Sequence, residues 1–383
     1  MLKRYLMAPG PVAVAPHILS RMSEPVIHHR SPQFSAFLTR VRDDLKYLFQ
    51  TQNDVIIFAS SGTGGMEASV VNLLSPGDTA IVVRAGKFGE RWTELCETYG
   101  VKAVNIDIPW GEAVDPGRVE DALKANPEAK AVFVQAHETS TGAKQPVREL
   151  AALLKNRPET VIVADAITAL GVYELKTDDW GIDVVITGSQ KALALPPGLA
   201  MVSVSEKALG LVKRSGLPKY YFNFLKEKKA MAKETTAFTP AVSLIIGLGA
   251  VLDEIRKKGL EAVFDHHRRL AEGARAAVSA LGLELYSKAP SEAVTVIKAP
   301  DGIDGQAVVK KLREEYGVTI AGGQGQAKGH ILRISHMGHL SEWDMIIAIA
   351  AVERGLKALG HPVELGLGVA AAQAYFAKNE MGC

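Results

Sequence analysis

Two residues have the types and placement to do chemistry together, Lys191 and Asp165. Lys191 lies in Thr187-Gly188-Ser189-Gln190-Lys191-Ala192-Leu193, which Pro196-Pro197-Gly198 closes. The segment follows Val184-Val185-Ile186, an apolar β-branched run that reads as a buried strand with polar residues gathered at its C-terminal end. A lysine kept from water loses solvation that favours its ammonium form, so its pKa falls toward that of a nucleophilic amine able to form a Schiff base. Asp165 ends the strand-like run Thr160-Val161-Ile162-Val163-Ala164, 26 residues before Lys191. An acid in that position sits where open α/β sheets place ligands, beyond the carboxyl ends of their strands.

Upstream, Ser61-Gly62-Thr63-Gly64-Gly65 opens a helical segment. Free N–H groups at a helix start favour anions, and glycines let the backbone approach a phosphate. The stretch lacks the Gly-Lys-Ser/Thr ending of a nucleotide-binding loop, which argues against an NTPase. An aldehyde-binding lysine, a carboxylate for a ring nitrogen and a phosphate cup together meet the requirements of pyridoxal 5'-phosphate.

Taken in order, Ala8-Pro9-Gly10-Pro11, Ser61–Ala68, His137-Glu138-Thr139-Ser140-Thr141-Gly142, Ala164-Asp165-Ala166, Gly188–Ala192 and Leu332-Arg333-Ile334 resemble the class V aminotransferases. These belong to the fold-type I pyridoxal-phosphate enzymes, and the likeness is greatest to the alanine-glyoxylate and serine-pyruvate enzymes. The resemblance runs from residue 8 to about residue 360. It implies that Lys191 holds the cofactor and that Asp165 keeps its ring nitrogen protonated. Thr63, Gly64 and Gly65 would cradle the phosphate, with Ser189 and Gln190 closing the cup. Thr139 would bond the ring's phenolic oxygen while Glu138 supports its loop, and Phe88 would stack on the ring, where the animal enzymes carry tryptophan. Arg333 would grip the substrate carboxylate, with Arg30 as a second anion contact. Thr239, within Thr235–Pro240, would reach the neighbouring subunit's phosphate in a homodimer with composite sites.

The elements that must position these residues follow from hydropathy. Seven apolar runs, Val55–Ala59, Thr79–Val83, Lys102–Ile106, Lys130–Gln135, Thr160–Ala164, Asp183–Ile186 and Leu199–Val204, alternate with helical segments. That pattern predicts an α/β domain with a mostly parallel seven-stranded sheet covered on both faces. Each candidate in this region falls just after a strand. Residues 1–16, with Pro9, Pro11 and Pro16, predict an extended arm. The large domain is expected over 17–255 and a smaller α+β domain over 256–383. The latter is read as strands Ala293–Lys298, Val318–Ala321 and Ile331–Ser335 with helices Gln306–Tyr316, Glu342–Leu359 and Val369–Lys378. Alternation within its last strand puts Arg333 on one face with Ile331 and Ser335, and arginine on an edge strand is ordinarily a solubilising charge.

With 383 residues and a net charge of +2, the chain is long enough for two domains and carries no signal for nucleic acid or a membrane surface. Its two cysteines, Cys96 and Cys383, form no disulfide framework or metal spacing, which suits a reducing cytoplasm. No secretory leader or bilayer-length apolar run is read. Position 141 is threonine, so His137-Glu138 does not open a His-Glu-x-x-His zinc site. His28-His29 lacks converging ligands.

The expected activity is transfer of an amino group from a small amino acid, alanine or serine, to a 2-oxo acid, glyoxylate or pyruvate. The alternatives on the same scaffold are a phosphonate-directed aminotransferase, a lyase and a cysteine desulfurase. The last needs a mobile cysteine, which a helical Cys96 and a terminal Cys383 fit poorly. An inactive binding subunit is the remaining alternative.

Overall fold

The computed structural model describes residues 3–379, so Cys383 and the first two residues of the arm lie outside it. The seven expected strands form one sheet in the order Val55–Phe58, Ala200–Val204, Val184–Gly188, Val161–Asp165, Ala131–Gln135, Thr79–Arg84 and Lys102–Asp107. Only Ala200–Val204 runs antiparallel to its neighbours. The central strands are Val- and Ile-rich with every residue buried, as a sheet packed on both faces requires. One apolar cluster packs Phe34, Leu38 and Leu45 of helix Pro32–Phe49 and Ile245 and Leu248 of helix Val242–Lys258 with Ile57, Ile162 and Val185. The other packs Met66 and Val70 of helix Gly62–Leu73 and Trp92 of helix Lys87–Thr98 with Phe133, Val163 and Ile186.

The first and last turns show local causes. Ser31 accepts a hydrogen bond from the Phe34 amide, Pro32 follows it, and left-handed Gln50 ends the helix. Helix Pro16–Met22 was not anticipated, although Pro16 stands at its start.

The C-terminal part carries an antiparallel sheet ordered Val294–Lys298, Ile331–Ser335, Ala321–Gly322. Ile331–Ser335 is therefore its central strand, and the edge placement considered for Arg333 is corrected: it is 5% exposed. The expected single strand Val318–Ala321 divides in two. Val318–Thr319 pairs with arm residues Tyr5–Leu6, while Ala321–Gly322 joins the small sheet. The arm is thus pinned at one end by backbone bonds before it crosses toward Lys191. We propose that the two domains divide near residue 255. Helix Val242–Lys258 packs on Pro32–Phe49, whereas Leu260–Ala280, after Gly259, packs on Leu367–Lys378 and Glu342–Ala358. Among the described residues no helix is long and apolar enough to cross a membrane.

Candidate active site

Asp165 and Gln135 are register partners at the C-terminal ends of adjacent parallel strands, and Val184–Gly188 delivers Lys191 beside them. Lys191 and Asp165 line one cavity of about 90 Å³, together with Ser61, Gly62, Thr63, Phe88, Arg91, His137, Thr139, Ile167, Thr168 and Gln190. A larger cleft of about 440 Å³ beside Lys144, Tyr173 and Trp180 is lined by none of the expected site residues.

Burial lowers the Lys191 pKa to about 8, with Asp165 opposing that shift and Arg333 and Arg91 adding to it. Burial likewise pushes Asp165 up to about 7, against a 2.9 Å hydrogen bond from the Ile167 amide to Oδ1. Loss of solvation is the dominant cause in both cases, so an ionic partner of opposite sign in the cavity would restore the charged carboxylate. Lys191 Nζ donates to the Pro9 carbonyl at 2.6 Å. Gly10 makes that approach possible, because its φ is +122° and a Cβ there would collide with Lys191 Nζ.

Helix Gly62–Leu73 opens on Ser61, whose side chain does not cap it, so its first turn presents uncapped N–H groups where Ser61, Gly62 and Thr63 line the cavity. Thr63 Oγ1 accepts a 3.1 Å bond from Arg91 Nη1, and the Arg91 guanidinium lies 4.9 Å from the centre of the Phe88 ring. Phe88 is fixed from behind by Glu138, which accepts from the Phe88 and Gly89 amides at 3.1 and 2.9 Å and from the Ser140 hydroxyl at 2.5 Å. Gly86 lets the two loops meet, since a Cβ there would collide with Glu138 and Ser140.

Arg333 donates from Nε to the Gly322 carbonyl and from Nη1 to the Thr139 carbonyl, each at 2.9 Å. It stands behind the loop that bears Thr139 rather than directly on the cavity wall.

Of the expected site residues, the cavity gathers Thr63, Phe88, Thr139, Asp165, Gln190 and Lys191, with Arg333 adjoining. Five others stand elsewhere. Gly64 faces Ser60 and Phe222, and Gly65 packs on Ile186 and Ala200 of the sheet. The Ser189 hydroxyl is occupied within its own loop, donating to the Pro196 carbonyl at 2.7 Å and accepting from the Leu199 amide at 3.1 Å. Arg30 is turned to the Thr235 hydroxyl (2.5 Å) and the Thr236 carbonyl (2.9 Å). Thr239 is exposed and outside the cavity of its own chain. Cys96 is buried in helix Lys87–Thr98, and burial raises its thiol to about 12, which removes it as a nucleophile.

Sequence reasoning missed Arg91, His137 and Thr168. Arg91 follows Phe88 by three residues, so helical spacing alone placed them on one face. His137 and Thr168 meet across 31 residues and left no such signal.

A doubly covered α/β sheet with a lysine and an aspartate at adjacent strand ends, and a second, smaller α+β unit, defines a fold-type I enzyme. The description Aminotransferase class-V matches residues 15–342, and the chain belongs to that family. It is 41% identical to the soluble hydrogenase small subunit of a Synechococcus species, over 97% of each chain. It is 36% identical to the L-aspartate–glyoxylate aminotransferase of Paracoccus denitrificans, covering 97% of this chain and 96% of that one. Among solved structures, the pyridoxamine-pyruvate aminotransferase of Mesorhizobium loti superposes with a TM-score of 0.94 at 30% identity, covering 99% of this chain and 98% of that one.

Proposed function

We propose that this aminotransferase holds pyridoxal 5'-phosphate on Lys191 and moves an amino group from alanine or serine to glyoxylate or pyruvate. It would do so as a homodimer in the cytoplasm. One observation carries the reading: a half-buried lysine and a buried carboxylate, each deprived of solvation, share a cavity with an uncapped helix start. The donor set fits the cofactor. Uncapped N–H groups, the Thr63 hydroxyl and the Arg91 guanidinium suit a phosphate.

Bound, the cofactor would supply an electron sink for charge developing at the substrate α-carbon. Asp165 would hold a proton on its ring nitrogen, and the cation there would in turn keep Asp165 ionised. Lys191, its pKa lowered to about 8, would accept the α-proton at Nζ and return it as a general base and acid. Phe88, backed by Glu138, would offer a π face to the ring. Arg333 would bind the substrate carboxylate.

Glyoxylate and pyruvate as acceptors draw on the names of the Paracoccus and Mesorhizobium relatives, and the former name also raises aspartate as a donor. Small donors are favoured because Arg30, the second cation considered for a carboxylate, is turned to Thr235 and Thr236, neither of which lines the cavity, whereas Arg333 adjoins it through Thr139. The hydrogenase name finds no counterpart in the side chains: among the described residues no three His, Cys, Asp or Glu converge as a metal site requires. The test follows the visible absorbance of the cofactor-loaded enzyme against a panel of amino acids, then its recovery with a panel of 2-oxo acids. Alanine and serine are expected to bleach it and glyoxylate or pyruvate to restore it. Preference for aspartate over alanine would overturn the donor assignment, and absence of bleaching by any amino acid would overturn the activity.

A further inference from the structure

His137 is 2% exposed, lines the cavity, and leaves Nε2 buried with no partner. Its Nδ1 is 2.9 Å from the Thr168 hydroxyl, which is itself 2.7 Å from the Thr139 hydroxyl. Three side chains thus form a line that starts at an imidazole and ends at a hydroxyl on the cavity wall.

We propose that His137 is a positioning residue, a neutral imidazole protonated on Nδ1 whose N–H starts a relay through Thr168 and fixes Thr139 as a hydrogen-bond donor into the cavity.

The direction of the line follows from what each tautomer leaves unpaired. With the proton on Nε2, a buried N–H would have no acceptor, and orphaned buried N–H groups are rare. With the proton on Nδ1, the orphan is a lone pair, and the charges around it favour that arrangement. Lys191, Lys144 and Arg333 all act on His137 as positive neighbours, and His336 is the other imidazole within reach. Burial first, then those cations, lowers the His137 pKa to about 3 against the opposing effect of a hydrogen bond to the Thr168 backbone, so the ring is neutral at physiological pH. Nδ1–H then donates to Thr168 Oγ1, and the Thr168 proton goes to Thr139 Oγ1 at 2.7 Å in preference to the longer, 3.4 Å contact with the His137 carbonyl. The Thr139 hydroxyl, its lone pair occupied, has its own proton left for the cavity. Reversing the tautomer would reverse every bond and present only lone pairs there. Asp165, Glu138 and Arg91 are the other charged groups about the cavity, and none of them is hydrogen-bonded to the relay.

This rests on the proposal that the cavity takes pyridoxal phosphate, whose ring oxygen is anionic in the visible-absorbing form. A donor at that oxygen stabilises the anion and lowers the pH at which the absorbance titrates. The experiment loads the full-length protein with pyridoxal phosphate and measures that midpoint, together with cofactor affinity from quenching of protein fluorescence. Thr168→Val keeps the shape of the side chain and removes the hydroxyl, while His137→Phe keeps a ring and removes Nδ1. Both are expected to raise the midpoint by about one pH unit, the scale of one hydrogen bond to a charged group. Thr168→Ser restores the hydroxyl and His137→Asn places an N–H donor near Nδ1, so both are expected to return the midpoint to within about 0.3 unit of wild type. An unmoved midpoint in Thr168→Val, a downward shift, or a His137→Phe protein that titrates as wild type would each overturn the relay. A wild type that gains no visible absorbance would overturn the cofactor assignment with it, whereas a titrating wild type beside an unmoved Thr168→Val overturns the relay alone.

Discussion

Arg333 Nη1 donates to the carbonyl of Thr139 at 2.9 Å, joining the central strand of the small sheet to the loop that carries a cavity hydroxyl. The same guanidinium holds the Gly322 carbonyl through Nε. Two of its nitrogens therefore orient it, and the group proposed to bind a substrate carboxylate also ties the small sheet to the loop that bears Thr139.

Arg333→Lys keeps the charge and loses the planar fork, so neither carbonyl is held in the same way. The Michaelis constant for alanine is expected to rise roughly tenfold or more, corresponding to about 1.4 kcal/mol of binding. Because Thr139 loses its tether, kcat should fall as well. Steady-state kinetics with alanine and an oxo acid check both parameters, and unchanged values would return Arg333 to a structural role.

Lys191 reacts with an aldehyde only as the free amine. Its pKa, lowered to about 8 by burial, places that form within reach of neutral pH. The rate at which cofactor-free protein captures pyridoxal phosphate should rise with pH up to about 8 and then level off. Stopped-flow absorbance across pH 6–10 measures it, where an unperturbed lysine would still be climbing at the top of that range. Lys191→Ala should abolish both capture and turnover while leaving far-UV circular dichroism unchanged.

Asp165 makes an opposite statement about stability. Its folded-state pKa is raised to about 7 from the usual 3.8, so between those values the folded protein binds more protons than the unfolded one. Stability contributed by this group therefore falls as pH rises from about 4 to 7. Asp165→Asn removes the titration, so the melting temperature of the cofactor-free variant, relative to wild type, should increase across that interval. In the loaded enzyme the same substitution should cost roughly a hundredfold or more in turnover, about 3 kcal/mol. A turnover loss under about threefold would disconnect Asp165 from the ring nitrogen.

Much of this architecture was legible because it is periodic. All seven strands of the large sheet were marked by β-branched runs, and Lys191, Asp165 and Thr139 stood out as polar residues just beyond them. The illegible part is lateral. Pro9 reaches Lys191 across 182 residues, and Arg333 reaches Thr139 across 194. No local propensity encodes such meetings, which depend on how the arm and the small domain pack. Ser189 shows the reverse case. It stands beside Lys191 in sequence, yet the sharp return through Pro196 uses its hydroxyl to close the loop.

Arg30 tests whether a residue near a site must touch the substrate. Its guanidinium bonds Thr235 Oγ1 and the Thr236 carbonyl, while Arg42 Nη2 donates to the Thr235 carbonyl at 2.9 Å and Glu227 Oε2 accepts from the Ala237 amide at 3.2 Å. Four interactions thus hold the segment leading to Thr239, the stretch proposed to reach the neighbouring subunit's cofactor phosphate. Were Arg30 a substrate contact, Arg30→Ala would raise the Michaelis constant for alanine. Were it a clamp on this segment, that constant should stay within about twofold while cofactor affinity drops roughly tenfold, about 1.4 kcal/mol. Thr239→Ala should weaken cofactor binding in the same direction without loosening the segment. Equilibrium dialysis of pyridoxal phosphate gives the affinity, and sedimentation across a dilution series reports whether its loss follows dissociation into monomers. A raised Michaelis constant with unaltered cofactor affinity would restore Arg30 as the second anion contact.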